Sequence, residues 1–313
     1  MNTNEVLTGL QRQYMDNDSF SKEREAIHNS WFNEDTTDFW RHKRMYETIR
    51  PLAAYYKDLQ WLTIGDGRYG LDSVRMKKLF SLEHILPTDI AENMLKKSKE
   101  KGLVNDYRVE NAEHLSFANN SFDVVFCKEA FHHFPRPYPA LYEMIRVCRK
   151  AVVLIEPAER SELSGIKSGK YILSAFRLLL SKLFGRTYYP YIPETTKQGH
   201  AFEEAGNYLY SVSISEMEKL VHGMDLGGMA WFGFNDVYIK GCEFEQPISG
   251  SPLFEKINVE INKGNELCRK YPRFYQYNMS TVIIFKEQPD EELRQQLSQA
   301  GYHLPQKNKN PFV

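Results

Sequence analysis

The sequence predicts an α/β fold built around a doubly wound, mostly parallel sheet. Between residues 59 and 157, short apolar runs alternate with helix-like segments, a rhythm that requires crossover connections between parallel strands. These runs are apolar on both faces, as expected for strands that helices cover on two sides. A glycine-rich stretch after the first run predicts a tight strand-to-helix turn at the carboxyl end of the sheet.

The individual elements follow from this rhythm. Strands are predicted for LQWLTI (59–64), HILPTD (84–89), YRVEN (107–111), FDVVFCK (122–128) and AVVLIEP (151–157), with helices between them. The pattern resumes after a break of about fifty residues. There, Ser213 and Glu216 have the spacing of a capping box before a helix. Two more strands are predicted, for MAWFGFNDVYIK (229–240) and NMSTVIIFKE (278–287).

The remaining segments are predicted to surround this core. We expect a helical N-terminal extension over 1–58, a main domain over 59–290 and a polar, peripheral C-terminal tail over 291–313. The main domain would carry insertions at about 158–210 and 241–278, the second with a helix near 254–269. Four aromatic residues of the extension either pack in the core or cover a ligand, and helical spacing favours packing. They are Trp31, Phe32, Phe39 and Trp40.

Composition limits the classes of partner. The formal net charge is -1, from 40 basic and 41 acidic side chains, which argues against a dedicated nucleic-acid binder. No C-x-x-C pair occurs among the four cysteines, so we expect free thiols, no metal site and a cytoplasmic location. We also expect no secretory leader and no transmembrane segment, because the most apolar stretch (171–184) is short and interrupted by Arg177 and Lys182.

A glycine loop predicts a ligand site. Gly65, Gly67 and Gly70 follow the first strand and precede a helix, where glycine allows a ligand to approach the backbone closely. Asp89 ends the second strand, 22 residues after Gly67, and Ile90 follows it. A carboxylate in this position can accept hydrogen bonds from both ribose hydroxyls of an adenosine cofactor. The spacing alone fits a dinucleotide equally well.

Two passages carry a resemblance that separates these possibilities. VENAEHLSFANNSFDVVFCKEAFHHFPRP and ALYEMIRVCRKAVVLIEP resemble class I S-adenosylmethionine-dependent methyltransferases, notably the small-molecule enzymes of the ubiquinone-biosynthesis type. The resemblance is close over 59–157 and loose over 211–287. It implies a Rossmann-like fold with an antiparallel last strand and S-adenosylmethionine as cofactor. It also implies an adenine-binding loop at Asn111, Ala112 and Glu113. Lys128, at the end of the fourth strand, is expected to line the cofactor pocket or to make a carbonyl contact.

The chain departs from the family pattern at two positions. Thr63 stands where the family commonly has an acidic residue, and we expect Asp66 inside the loop to compensate in part. Asn111 replaces the acid of the adenine loop, and its carbonyl oxygen can still accept a hydrogen bond.

The turn after the fourth strand holds the candidate catalytic residues. Glu129, His132 and His133 are candidate bases, since a high-pKa hydroxyl acceptor must lose a proton during methyl transfer. The alternative is that one histidine caps the turn and the other packs in it. Glu156, at the end of the fifth strand, either faces the acceptor or bonds to the backbone near Pro157.

The sequence of the first insertion does not identify the methyl acceptor. Its tyrosines and basic residues fit a lid over an acidic or phosphorylated substrate, a basic helix on a membrane near a lipid-linked substrate, or an extra helix packed on the core. The hypothesis we favour is methylation of an oxygen or nitrogen on a small molecule, such as a sugar, a glycan precursor or a secondary metabolite. The alternatives are an NAD(P)-dependent oxidoreductase and a non-catalytic binding protein of the same fold.

Overall fold

The computed structural model describes residues 3–17, 22–159, 202–203, 205–272 and 275–307. Seven strands are described: β1 (Trp61–Ile64), β2 (Ile85–Asp89), β3 (Arg108–Val109), β4 (Phe122–Lys128), β5 (Cys148–Pro157), β6 (Gly228–Phe234) and β7 (Met279–Phe285). They form one sheet in the order β3-β2-β1-β4-β5-β7-β6. β1 to β5 are parallel to one another, and β7 is antiparallel to both β5 and β6. The predicted fold class is confirmed.

Helices precede the sheet, connect its strands and follow it. Four lie before β1: α1 (Thr3–Asn17), α2 (Lys22–Ser30), α3 (Thr37–Thr48) and α4 (Arg50–Tyr55). Three connect parallel strands: α5 (Leu71–Phe80), α6 (Asn93–Glu100) and α7 (Pro137–Val147), the last preceded by a 3₁₀ turn (Phe131–His133). The others described are α8 (Ile214–Gly223), α9 (Pro252–Lys270) and α10 (Glu291–Gln299).

The strand register places the loops that matter at one edge. Ile64, the last residue of β1, lies opposite Thr88 of β2 and Cys127 of β4. Because parallel strands end together, the turns after β1, β2 and β4 meet at the carboxyl edge of the sheet. β1 and β4 are buried along their whole length, so their positions are fixed by packing on both faces.

Both faces of the sheet are covered. α7 and α8 pack on one face, where Leu141 and Met217 are fully buried. α3, α4 and α5 pack on the other through residues such as Tyr46, Leu52 and Met76. The N-terminal extension therefore completes the core of the main domain.

The C-terminal residues differ from the prediction of a peripheral tail. α10 buries Leu293 and Leu297 completely against the same face as α4, and Tyr302 behind it donates a hydrogen bond of 2.8 Å to the Thr48 carbonyl. The two leucines are four residues apart, so they lie on one side of the helix and dock it.

Two local predictions are wrong in detail. The strand predicted over 229–240 ends at Phe234, because the next two backbone amides bond to side chains: Asn235 to Asn265 and Asp236 to Asn278. The capping box does not form. Ser213 precedes α8, but its hydroxyl lies 3.2 Å from the Ser215 hydroxyl and makes no capping bond.

Several predictions fall partly outside the described residues. Most of the first insertion, 160–201, is not described, so its three interpretations stay predictions. In the part of the chain that is described, no helix combines the length and apolar character needed to cross a membrane. The four cysteines are free, as expected, and all four are buried.

Candidate active site

A cavity of about 350 Å³ opens at the carboxyl ends of β1, β2 and β4. This volume is within the usual range for small-molecule sites, roughly 300 to 1,000 Å³. Its described lining includes every residue predicted to bind the cofactor except Gly70: Gly65, Asp66, Gly67, Asp89, Ile90, Asn111, Ala112, Glu113 and Lys128. Of the predicted catalytic residues, Glu129 and His133 line it, whereas His132 is not among the described lining residues.

The β1 turn, residues 65–70, is organised by a buried carboxylate. Asp66 accepts hydrogen bonds of 3.0 Å from the backbone N–H groups of Asp72 and Ser73 at the start of α5. The Thr63 hydroxyl donates to Asp66 over 2.9 Å. Burial, and then the nearby charge of Asp72, raise the pKa of Asp66 to about 6. Asp66 therefore holds the turn in place, and Thr63 supports it.

Two glycines of the β1 turn allow close approaches that a side chain would block. A Cβ atom on Gly67 would lie 2.7 Å from Oδ2 of Asp89, and one on Gly65 would collide with Cβ of Ala130. Gly70 has a different task. Its left-handed backbone (φ 65°) starts α5, and a Cβ there would meet Val104, Pro87 and Leu95.

The turns after β2 and β3 form the other end of the cavity. Asp89 accepts a 2.8 Å hydrogen bond from the Ala91 N–H, which fixes its carboxylate at the end of β2. Asn111 accepts a 3.0 Å bond from the Glu113 N–H, so its carbonyl oxygen shapes the loop. The Glu113 carboxylate binds the backbone N–H and the guanidinium of Arg136 over 2.8 and 2.7 Å, tying this loop to the start of α7.

A buried charge cluster lies where β4 ends. Nζ of Lys128 is 3.1 Å from Oε2 of Glu129 and 3.4 Å from Oδ1 of Asp72, which also accepts a hydrogen bond from the Tyr46 hydroxyl. Burial lowers the pKa of Lys128, but the carboxylates, Asp72 first, outweigh it and raise that pKa overall. Burial raises the pKa of Glu129, but Lys128 and His42 outweigh it and hold that pKa well below its usual range.

His42 is a cavity residue that the sequence did not suggest. It is buried on α3, with Nδ1 3.2 Å from Oε2 of Glu129 and Nε2 3.6 Å from Oδ2 of Asp38. Burial, and then the positive charge of Lys128, lower the pKa of His42. Its segment was predicted only to be helical, and no local pattern shows that α3 turns this ring toward β4.

The β4 turn, residues 129–134, is organised by a second buried carboxylate. Glu156 is completely buried and accepts hydrogen bonds of 2.9 Å from the backbone N–H groups of Ala130 and Phe131. Nδ1 of His132 lies 2.6 Å from the other Glu156 oxygen. Burial lowers the pKa of His132, but Glu156 outweighs it and raises that pKa overall. Glu156 therefore bonds to backbone as one of its two expectations has it, but to the backbone of the β4 turn and not to that near Pro157.

His133 has a partner of its own. Its Nδ1 lies 2.8 Å from Oε2 of Glu203, a cavity residue near the end of the first insertion that was not predicted. The rings of His132 and His133 are 3.9 Å apart between centroids. Burial, and then the charge of His132, lower the pKa of His133.

The N-terminal helices cover the cavity. Thr8, Gln11 and Tyr14 of α1 line it, together with Trp31. Gln11 donates a hydrogen bond to the His133 carbonyl, and Nε of Arg12 donates to the Ile90 carbonyl over 3.2 Å. α1 is thus attached to both ends of the cavity. Among the N-terminal aromatics, Phe39 packs in the core and Trp40 packs on Phe254, whereas Trp31 reaches the cavity.

Comparisons with known proteins agree with this geometry. The family model described as a methyltransferase domain matches residues 62–155, from β1 to β5. Phosphoethanolamine N-methyltransferase 2 of Haemonchus contortus, solved with S-adenosyl-L-methionine, is 15% identical with a TM-score of 0.51, over 88% of this chain and 60% of that one. Magnesium protoporphyrin IX methyltransferase of Synechocystis PCC 6803, solved with bound SAH, is 12% identical with a TM-score of 0.46, over 89% of this chain and 99% of that one. A search of curated protein sequences gives no significant match.

The fold and the matched segment agree with the sequence resemblance. Residues 62–155 match the methyltransferase-domain family model, and the chain shares the fold of a methyltransferase solved with S-adenosyl-L-methionine. Enzymes of this class use S-adenosylmethionine. At the identities observed, the neighbours show the fold and leave the acceptor to be argued from the site itself.

Proposed function

We propose that the protein transfers a methyl group from S-adenosylmethionine to an oxygen or nitrogen of a small molecule. The observation that carries this proposal is the approach of the β1 turn to Asp89 at the cavity. Because Gly67 has no side chain, its backbone lies directly against the Asp89 carboxylate, where a Cβ atom would come within 2.7 Å of Oδ2. Such an arrangement suits a ribose held by Asp89 with its neighbouring atoms against bare backbone.

The other lining residues fit the remaining parts of the cofactor. Ile90 and the loop of Asn111, Ala112 and Glu113 would enclose the adenine, while Lys128 lies beside the opposite end. Gly65 and Asp66 shape the turn between these ends, and Gly70 starts the helix behind it. When bound, S-adenosylmethionine supplies a methyl group whose bond to sulfur breaks as its bond to the acceptor forms.

Methyl transfer asks the protein mainly for alignment and exclusion of water. α1 supplies both, because it spans the cavity and is bonded to the carbonyls of Ile90 and His133. Of the three predicted bases, His133 is best placed to take a proton. It lines the cavity, and its lowered pKa favours the neutral ring, which can accept one. Glu129 is held as an ion by Lys128 and His42, and His132 is engaged by Glu156.

The charges around the cavity favour a neutral or cationic acceptor. The described lining includes the carboxylates of Asp66, Asp72, Asp89, Glu110, Glu113, Glu129 and Glu203, against the cations of Arg68, Arg75 and Lys128. An acidic acceptor would be repelled by this excess of negative charge. An acidic or lipid-linked acceptor would have to use residues of the first insertion, which lies largely outside the described part of the chain.

Ligand-dependent thermal unfolding tests the cofactor assignment. S-adenosylhomocysteine and NADH are added separately to wild type, to Asp89→Ala and to the exposed-residue control Asp58→Ala. A ligand that binds only the native state stabilises it by about 2.7 kcal/mol at a hundred times its Kd. We expect S-adenosylhomocysteine to raise the Tm of wild type and of Asp58→Ala and to leave Asp89→Ala unchanged. A rise with NADH alone would overturn the proposal and indicate a nicotinamide enzyme.

A further inference from the structure

Two histidine–glutamate pairs stand back to back in the β4 turn. The first joins His132 to Glu156, which is completely buried beneath the sheet edge. The second joins His133 to Glu203, and both of its members line the cavity. Since the rings are only 3.9 Å apart, the two pairs share one local electrostatic environment while facing opposite ways.

Glu203 is held firmly enough to orient a ring. Its Oε2 accepts a 2.7 Å hydrogen bond from Nδ2 of Asn207, a residue that is 1% exposed. Its backbone N–H donates to the Asn207 carbonyl over 2.9 Å, and its carbonyl accepts from the Gly206 N–H over 2.8 Å. The His133 backbone is fixed in turn by Gln11, whose amide donates to the His133 carbonyl. Both partners therefore approach each other with little freedom.

A carboxylate facing Nδ1 decides which ring nitrogen carries the proton. A neutral imidazole has one N–H donor and one acceptor nitrogen, and the partner of one nitrogen fixes the role of the other. Because Glu203 accepts from Nδ1, Nε2 is left with its lone pair. Among the described residues, none bonds to Nε2 of His133.

We propose that Glu203 is a positioning residue that makes Nε2 of His133 the proton acceptor for a hydroxyl-bearing substrate, so that methylation occurs at oxygen. This inference rests on the proposed function of the site. As the acceptor oxygen bonds to the methyl carbon and sulfur leaves as a neutral thioether, the hydroxyl proton passes to Nε2. The imidazolium that forms is stabilised by Glu203, which stays ionised.

His132 influences the protonation of His133. Held by Glu156, it favours its charged form, and that charge beside His133 opposes protonation of the second ring before an acceptor arrives. The charged groups that act on His133 are His132, Glu156 and Glu203, and the side chain that α1 bonds to it, Gln11, is uncharged. The pair thus keeps one ring free to accept a proton.

Nitrogen-15 NMR of the histidine rings tests the inference without knowledge of the acceptor. The full chain is labelled at histidine, and the His133 signals are assigned from their loss in His133→Asn. We expect neutral His133 to carry its proton on Nδ1 in wild type. In Glu203→Ala the proton should move to Nε2, the tautomer that free imidazole side chains prefer, and Glu203→Gln should restore Nδ1–H through its amide oxygen. The exposed control Glu216→Ala should resemble wild type.

Titration of the same signals gives a second readout. Removing the negative charge in Glu203→Gln should lower the pKa of His133, whereas His132→Gln should raise it by removing a neighbouring positive charge. An Nε2–H tautomer in wild type, or an unchanged tautomer in Glu203→Ala, would overturn the positioning role. S-adenosylhomocysteine binding is measured on the same samples. Its absence in wild type would count against the proposed function, while the tautomer result would still stand by itself.

Discussion

The β1 turn and the β4 turn are stabilised in the same way but carry different side chains. Each follows a central parallel strand, and each is organised by one buried carboxylate that accepts two backbone N–H groups, Asp66 in the first and Glu156 in the second. The β1 turn brings the backbone of Gly65 and Gly67 to the cavity, whereas the β4 turn carries titratable side chains with fixed partners. The first is suited to hold a ligand by shape, and the second to handle charge and protons.

The two carboxylates also differ in the charge of the groups that they bind. Asp66 bonds to neutral donors, with Asp72 as a nearby like charge, and its pKa rises to about 6. Glu156 faces His132, whose charged form it favours. Removing a buried anion that has a cationic partner lowers the free energy of unfolding more than removing one that has neutral donors. The reason is that the cation is then left buried without a partner.

The largest expected effect is therefore at Glu156. Glu156→Leu removes the partner of His132 and leaves two buried N–H groups unsatisfied, so we expect a loss of about 3–5 kcal/mol in the free energy of unfolding. Glu156→Gln keeps an oxygen that can accept from the backbone N–H groups, so we expect a smaller loss in the free energy of unfolding. Urea denaturation measures both, with the exposed Glu100→Leu as control. Equal stability of Glu156→Leu and the control would mean that the β4 turn does not depend on this carboxylate.

The pH dependence of Asp66 should be the next largest effect. An acid whose folded pKa is raised favours the protonated folded state, so its contribution is complete below its ordinary value of 3.8 and is lost as pH rises to about 6. The difference corresponds to up to about 3 kcal/mol, at about 1.4 kcal/mol per pH unit.

Asp66→Asn isolates this contribution because asparagine does not titrate. Urea denaturation between pH 4 and pH 7 should show wild type losing stability relative to Asp66→Asn as the pH rises. Parallel stability curves for the two proteins would show that Asp66 has an ordinary pKa and that the β1 turn tolerates its charge.

The two turns also show what the sequence could and could not predict. The β1 turn is local: Gly65, Gly67 and Asp89 lie at the ends of strands whose apolar runs are visible, so their meeting follows from parallel pairing. The partnership of Asp66 with Thr63 was anticipated only as partial compensation. The capping role of Asp66 depends on a tertiary arrangement of Asp72 and Ser73 at the helix start that spacing alone does not fix.

The partners in the β4 turn are not local. His42 comes from α3, Glu156 from the end of β5 and Glu203 from near the end of the first insertion, so no spacing rule joins them to residues 129–134. The sequence placed Glu129, His132 and His133 in one turn and could not divide their tasks. Only the packed structure shows that one histidine faces a buried glutamate and its neighbour faces the cavity.

The most direct test of this division is the affinity for S-adenosylhomocysteine, measured by isothermal titration calorimetry in Gly67→Ala and Glu203→Gln. Gly223→Ala is the matched control, since a Cβ there meets open space, whereas on Gly67 it would press on Asp89. We expect Gly67→Ala to weaken binding by about 100-fold or more, equivalent to about 2.7 kcal/mol, and Glu203→Gln and Gly223→Ala to bind like wild type. Wild-type affinity in Gly67→Ala, or an equal loss in Glu203→Gln, would contradict a cofactor held by the β1 turn and a proton handled by the β4 turn.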